Sequence, residues 1–132
     1  IQMVSRIGSR IPLYCSGVGK AMLAYMDEQE VKDVWKNSNI HALTPYTITD
    51  FNVFRQELEK TRERGYALDN EENERGVRCI AVSLQEYTGR RRYAFSISAP
   101  VSRMDDERIK CLTGYILETK EQIEKIINGL HV

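Results

Sequence analysis

Histidine is almost missing, cysteine is scarce, and neither sign of charge outweighs the other; each shortage closes off a class of function. The two histidines, His41 and His131, leave little for general acid–base chemistry or an imidazole metal site. Three cysteines, Cys15, Cys79 and Cys111, include no Cys-x-x-Cys pair. That argues against a metal ribbon, a redox motif or a disulfide scaffold, and the odd thiol fits a reducing cytosol. Nineteen basic residues stand against 19 acidic ones, so the chain has no excess charge with which to grip a phosphate backbone unaided. Its one dense basic cluster is Arg90-Arg91-Arg92. No apolar run approaches the roughly 20 residues that span a bilayer, and nothing resembles a signal peptide. We therefore expect a cytoplasmic location and no membrane partner.

What is present suits a folded domain. The 132 residues are 42% apolar and 29% charged, enough to bury roughly 65–70% of the unfolded chain's surface in one core. The chain opens Ile1-Gln2-Met3, with no initiator methionine and with alternation already under way, so we read it as a piece of a longer protein.

Met3 to Arg6 alternates weakly, as a strand does, and Ile11 to Cys15 reads as an edge strand with Pro12 near its start. Val18, Ala21, Met22, Tyr25 and Met26 recur at helical spacing and predict a helix starting close to Ser16. A second short helix is predicted over Glu28 to Lys36. A third starts at Asp50 or Thr49 and runs to about Arg64, with Gly65 as its left-handed stop. Tyr66 to Asp69 reads as a strand leading into an acidic loop. Gly76 to Leu84 and Arg91 to Ala99 read as a hairpin turning near Gly89. A long helix from Asp105-Asp106 to about Asn128 carries the stripe Ile109, Leu112, Ile116, Ile123, Ile126 and Leu130. It suits docking on the sheet, or, less well, a coiled-coil arm. The fold class is α/β (α+β) in one domain.

Three places invite chemistry. Ser16-Gly17-Val18-Gly19 opens a helix whose leading amides suit an anion, and two glycines let a ligand approach the backbone. The pattern is neither Gly-x-Gly-x-x-Gly nor a P-loop, and an ordinary strand-to-helix turn explains it too. The hairpin puts Val77, Cys79, Ala94, Ser96 and Ser98 on one face. With the turn centred on Tyr87-Thr88, Cys79 faces Ser96 and Val77 faces Ser98. A face this small and polar packs poorly alone, so either a ligand fills the space or a helix sits close upon it. Asp69 reads as a turn former, and Glu71, Glu72 and Glu74 as a solvated surface. Catalysis fares badly: Cys79 would need a base, and only His41, in a polar loop, offers one.

Several blocks then fall in order: Ser16-Gly17-Val18-Gly19-Lys20-Ala21 with Leu23-Ala24; Thr44 with Thr47-Ile48; Arg64-Gly65-Tyr66 with Asp69 and Glu72; Gly76-Val77-Arg78-Cys79-Ile80-Ala81; and Ser96-Ile97-Ser98-Ala99-Pro100. Together they resemble the C-terminal effector-binding domain of the IclR-type bacterial transcription factors. The resemblance implies a GAF-like domain, a curved and mostly antiparallel sheet with helices on its faces. It implies a small-molecule carboxylate effector, organic or sugar-derived. Operator DNA would be bound only by an N-terminal winged helix-turn-helix domain absent from this chain, and assembly would be into homodimers or homotetramers. It places the ligand carboxylate on the backbone of Gly17 and Val18, with Asp69, Cys79, Ser96 and Ser98 around its other polar atoms. Met3, Ile11 and Val77 match apolar wall positions. An ionised Asp69 beside that carboxylate is costly unless it faces hydroxyl donors or takes up a proton, which favours a hydroxy or keto acid. Ser83 departs from the proline of many members, a change that bears on a strand edge. No metal and no other cofactor are expected, because no ligand cluster is visible. The alternatives are an oligomerisation module without a ligand and a small enzyme using Cys79.

Overall fold

The computed structural model describes residues 6–129. Among these residues four α-helices and three strands follow one another as α1 (Gly17–Leu23), α2 (Glu28–Asn37), α3 (Phe51–Arg64), β1 (Ala67–Asn70), β2 (Val77–Leu84), β3 (Tyr93–Pro100) and α4 (Asp106–Ile127). Each helix begins at a side chain that takes an amide its own ladder cannot satisfy. The Ser16 hydroxyl accepts from Gly19 N–H, Asp27 from Glu30, Asp50 from Asn52 and Val53, and Asp105 from Arg108. Caps of this kind contribute about 1 kcal/mol each. Gly65 ends α3 at φ 86°, a conformation that a residue with a Cβ resists.

The strands form one antiparallel sheet in the order β1-β2-β3. The hairpin register differs from the sequence expectation. Its last pair is Leu84 with Tyr93, closed by Glu86 N–H donating to Arg90 O and Gly89 N–H to Glu86 O, so the turn centres on Thr88-Gly89. Cys79 therefore faces Ser98, Ala81 faces Ser96, and Val77 faces Pro100. Gly89, at φ 88°, draws the turn one residue onward, because it adopts the left-handed conformation without strain. Moving the centre by one shifts each partner by two, and an even shift leaves every side chain on its face.

The two faces bury different things. Ile80 and Val82 pack with Met104, Ile109 and Ile116 beneath the first half of α4, joined by Phe95 and Ile97. On the other face Ala81 and Ala67 meet Ala21 of α1. Small side chains here let α1 lie close: a Cβ on Gly17 would stand 3.1 Å from that of Ala81. Beyond α1, a second core gathers Tyr14, Leu23, Val31, Phe54 and Leu58 with Trp35.

Two expectations change. Ile11 to Cys15 is not a strand but an irregular segment entering a turn, Ile11 and Leu13 being exposed. The second half of α4 is held by polar bonds rather than by its apolar stripe. Gln85 N–H donates to Glu124 Oε2 at 2.6 Å and Tyr87 N–H to Asn128 Oδ1 at 2.9 Å, while Ile126 remains exposed. Leu130, Met3 and the rest of the first predicted strand up to Ser5 lie outside the described residues. Ser83 is buried past the end of β1, where its hydroxyl accepts from the Arg91 guanidinium at 2.9 Å.

Candidate functional site

The start of α1 is fixed from both sides. The Ser16 hydroxyl donates to Pro12 O at 2.6 Å while accepting from Gly19 N–H at 3.1 Å. The glycines divide their work differently from the sequence reading. A Cβ on Gly19 would lie 2.2 Å from Leu13 O, so Gly19 admits the chain's own backbone rather than a ligand. Gly17 admits the sheet. Ahead of them, the Gly17 and Val18 amides find no acceptor among the described residues.

Glu72 is a correction. The sequence reading puts it on a solvated surface with Glu71 and Glu74; it is buried, and both its oxygens accept from Lys20 Nζ at 2.8 and 2.9 Å. Lys20, on α1, is wholly enclosed and also donates to Leu68 O. Glu72 N–H donates to Asp69 Oδ1 at 2.8 Å. The hydroxyls of Thr44 and Thr47 donate to Glu71 O and Glu72 O at 2.5 and 2.6 Å. Glu71 takes φ 60°, and its carboxylate accepts from Gly76 N–H. The acidic loop is thus tied to α1, to β1 and to the Thr44–Thr47 turn, and it holds Asp69 in place.

These elements border a partly open hollow of about 70 Å³, at which Ile11 and Ser96 are exposed. Gly17 and Val18 reach it from α1, and Asp69 from β1. Val77 and Cys79 reach it from β2, and Ser96 and Ser98 from β3. Ile11 lines it from the segment before α1. Every site residue expected from the sequence is brought here except Met3, which lies outside the described residues. The structure adds Ser16, Asn73 and Glu74. Their signal was adjacency alone: Ser16 precedes Gly17, and Asn73-Glu74 follow the buried Glu72.

Larger grooves occur, one of about 400 Å³ between α2 and α3 and one of about 500 Å³ beside Arg90-Arg91-Arg92. Their cations are largely spoken for. Arg55 pairs with Glu28, Arg92 with Glu86, and Arg91 lies 3.5 Å over the Tyr25 ring. The smaller hollow, where polar groups from four elements converge, is therefore the candidate site.

Burial sets the electrostatics there. It pushes the Asp69 carboxyl up to about 6, against the pull of the Glu72 amide. It pushes the Cys79 thiol up to about 11 although Ser98 Oγ donates to its sulfur at 2.9 Å, and Cys15 to about 12. At neutral pH both thiols are protonated and poor nucleophiles. His41 is exposed, with its Nδ1 2.8 Å from Asn39 O, and does not line the hollow that holds Cys79. Among the described residues no three metal-ligating side chains cluster, and no helix is long and apolar enough to cross a membrane.

Known proteins share this fold. A family model described as the C-terminal region of the bacterial transcriptional regulator IclR matches residues 1–125. The HTH-type transcriptional repressor AllR of Salmonella typhi is 35% identical over 123 residues, 93% of this chain and 45% of that protein. The chain thus spans about half the length of the curated relatives it matches. The crystal structure of Thermotoga maritima IclR superposes with a TM-score of 0.91 at 38% identity, over 97% of this chain and 52% of that one. The inducer-binding domain of PobR from Acinetobacter, a double mutant in complex with 3-hydroxybenzoic acid, superposes with a TM-score of 0.85 at 27% identity. That match covers 92% of this chain and 70% of the PobR chain.

Proposed function

Because the chain belongs to the IclR family of bacterial transcriptional regulators, through their C-terminal domain, we propose that its hollow receives a small organic or sugar-derived carboxylate. That effector controls operator binding by an N-terminal DNA-binding domain, in a cytoplasmic regulator that assembles as a homodimer or homotetramer. The family is one of transcriptional regulators rather than enzymes.

One observation carries the reading: the leading amides of α1, the hydroxyls of Ser96 and Ser98 and the carboxyl of Asp69 meet at one hollow. The amides suit the ligand's carboxylate. Ser96 and Ser98 donate to or accept from hydroxyl and keto oxygens. Asp69 hydrogen-bonds to a polar oxygen of the ligand, and Cys79 supplies a soft wall beside Ser98. Ile11 and Val77 shield the carbon skeleton, the place expected also for Met3. The PobR domain, whose structure holds a hydroxylated acid, supports this class of ligand. The volume of about 70 Å³ favours acids of a few carbons over aromatic ones, since pockets for drug-sized ligands run to roughly 300–1,000 Å³.

Signalling follows only when the effector binds one of two conformations or assemblies better than the other. Calorimetry of the 132-residue chain against glycolate, pyruvate, gluconate and 3-hydroxybenzoate tests the pocket. The hit is expected to lose tenfold or more in affinity with Asp69→Ala and with Ser96→Ala, and unchanged affinity in both would displace the site. The rival reading, an oligomerisation module without a ligand, draws on the tight contact of Gly17 with Ala81. It predicts no binding by any acid and an unchanged oligomer in Ser96→Ala by light scattering.

A further inference from the structure

We propose that the hollow takes its anion together with a proton that comes to rest on Asp69, so that effector binding is coupled to proton uptake from solvent. The inference rests on the carboxylate-sensor reading and deepens it. Its ground is the charge count around the cavity. Asp69, 3% exposed, and Glu74 both line the hollow, and no lysine, arginine or histidine among the described residues does.

The groups facing Asp69 offer no spare cation. From α1 comes Lys20, but its ammonium is already shared between both Glu72 oxygens and Leu68 O. From the acidic loop come Glu72, Glu74 and the backbone of Asn73; from β2 comes Cys79, and from the segment before α1 comes Cys15. Arg78, beside Cys79 on β2, alternates to the other face, where it holds Asn70 Oδ1, Met104 O and Asp106. A second carboxylate brought against Asp69 thus meets two acidic neighbours and no free counter-charge. Two buried carboxylates in contact do not both stay ionised.

Of the two, the protein's own group is the easier to neutralise. Its carboxyl already titrates near 6, whereas a small hydroxy acid remains ionised well below that. Asp69 Oδ1 is occupied by Glu72 N–H, so the proton sits on Oδ2 and turns it into a donor toward the ligand. The balance is one ligand anion plus one proton from solvent, giving a complex with neutral Asp69 and an ionised ligand.

Calorimetry of glycolate binding at pH 7, in two buffers of different ionisation enthalpy, reads the proton directly. Uptake of roughly 0.9 proton per glycolate is expected, with affinity falling about tenfold per pH unit above neutrality. Asp69→Asn imitates the neutral carboxyl. It should bind glycolate with no proton uptake and with affinity flat between pH 5.5 and 8 (a range chosen for the assay). Ser98→Ala, which removes a contact but no titrating group, should weaken binding and leave the uptake unchanged. The neutral amide glycolamide should bring in no proton. Binding with zero uptake at pH 7 overturns the inference and leaves the sensor reading standing. Absence of heat with all four acids at pH 5.5 overturns the sensor reading, and the inference with it.

Discussion

Lys20 Nζ sits 2.8 Å from Glu72 Oε1 with the lysine side chain wholly enclosed, joining the first helix to the loop that borders the hollow. Removing two ions from water costs several kcal/mol each, and only good geometry with further hydrogen bonds offsets that. Both are present: Lys20 also donates to Leu68 O, and Glu72 also accepts from Asn70 N–H. Lys20→Met leaves Glu72 buried without a counter-charge and is expected to destabilise the domain by about 3–5 kcal/mol. The double variant Lys20→Met with Glu72→Leu should recover most of that loss. Urea titrations of the three proteins check it, and a double variant as unstable as the single one would refute the pairing argument.

The two glycines of α1 predict an ordering. An alanine at 19 would drive its Cβ to 2.2 Å from the Leu13 carbonyl oxygen, which is backbone and has nowhere to go. At 17 the nearest atom is the Ala81 Cβ at 3.1 Å, a tight contact that a small shift relieves. Gly19→Ala is expected to cost upwards of about 3 kcal/mol and Gly17→Ala about 1–2, as overpacked sites do. Thermal melts that reversed this order would contradict the close approach of Leu13 to α1.

What the sequence discloses and what it hides divides along the range of the interaction. Ser16, Asp50, Asp105 and Gly65 act on amides or carbonyls a few residues away, so helix ends were legible. The small face of β2 and β3 was legible because alternation survives an even slip in register. The slip itself was not, since Gly89 against Thr88 decides the turn centre by a conformational preference that spacing alone does not reveal. Glu72 was misread because its partner lies 52 residues away and a charge in an acidic run looks solvated. The α4 stripe misled in its second half, where Glu124 and Asn128 accept from the amides of Gln85 and Tyr87 just past β2.

Thiol chemistry separates the three cysteines. Cys111 is exposed on α4, whereas burial keeps Cys79 and Cys15 protonated, at about 11 and about 12. A disulfide reagent at pH 7.5 should modify one thiol rapidly in the native protein and three after unfolding in urea. Mass spectrometry should find the fast adduct on Cys111. Rapid modification of Cys79 would restore the nucleophile that the enzyme reading needs.

The raised Asp69 carboxyl makes a statement about stability as well as binding. An acid whose value climbs from 3.8 to about 6 on folding holds its proton more tightly in the native state. Its contribution is therefore complete below about pH 4 and is lost as the pH climbs through 6, a loss on the order of 2–3 kcal/mol. This is the reverse of the usual salt-bridged carboxylate. Asp69→Asn keeps an oxygen to accept the Glu72 amide and carries no charge. It should melt several degrees above the parent at pH 7.5, with the gap closing by pH 4. Equal gaps at both pH values would mean that desolvation of the Asp69 charge is not what the substitution relieves, and parent-like melting throughout would place that carboxylate in water.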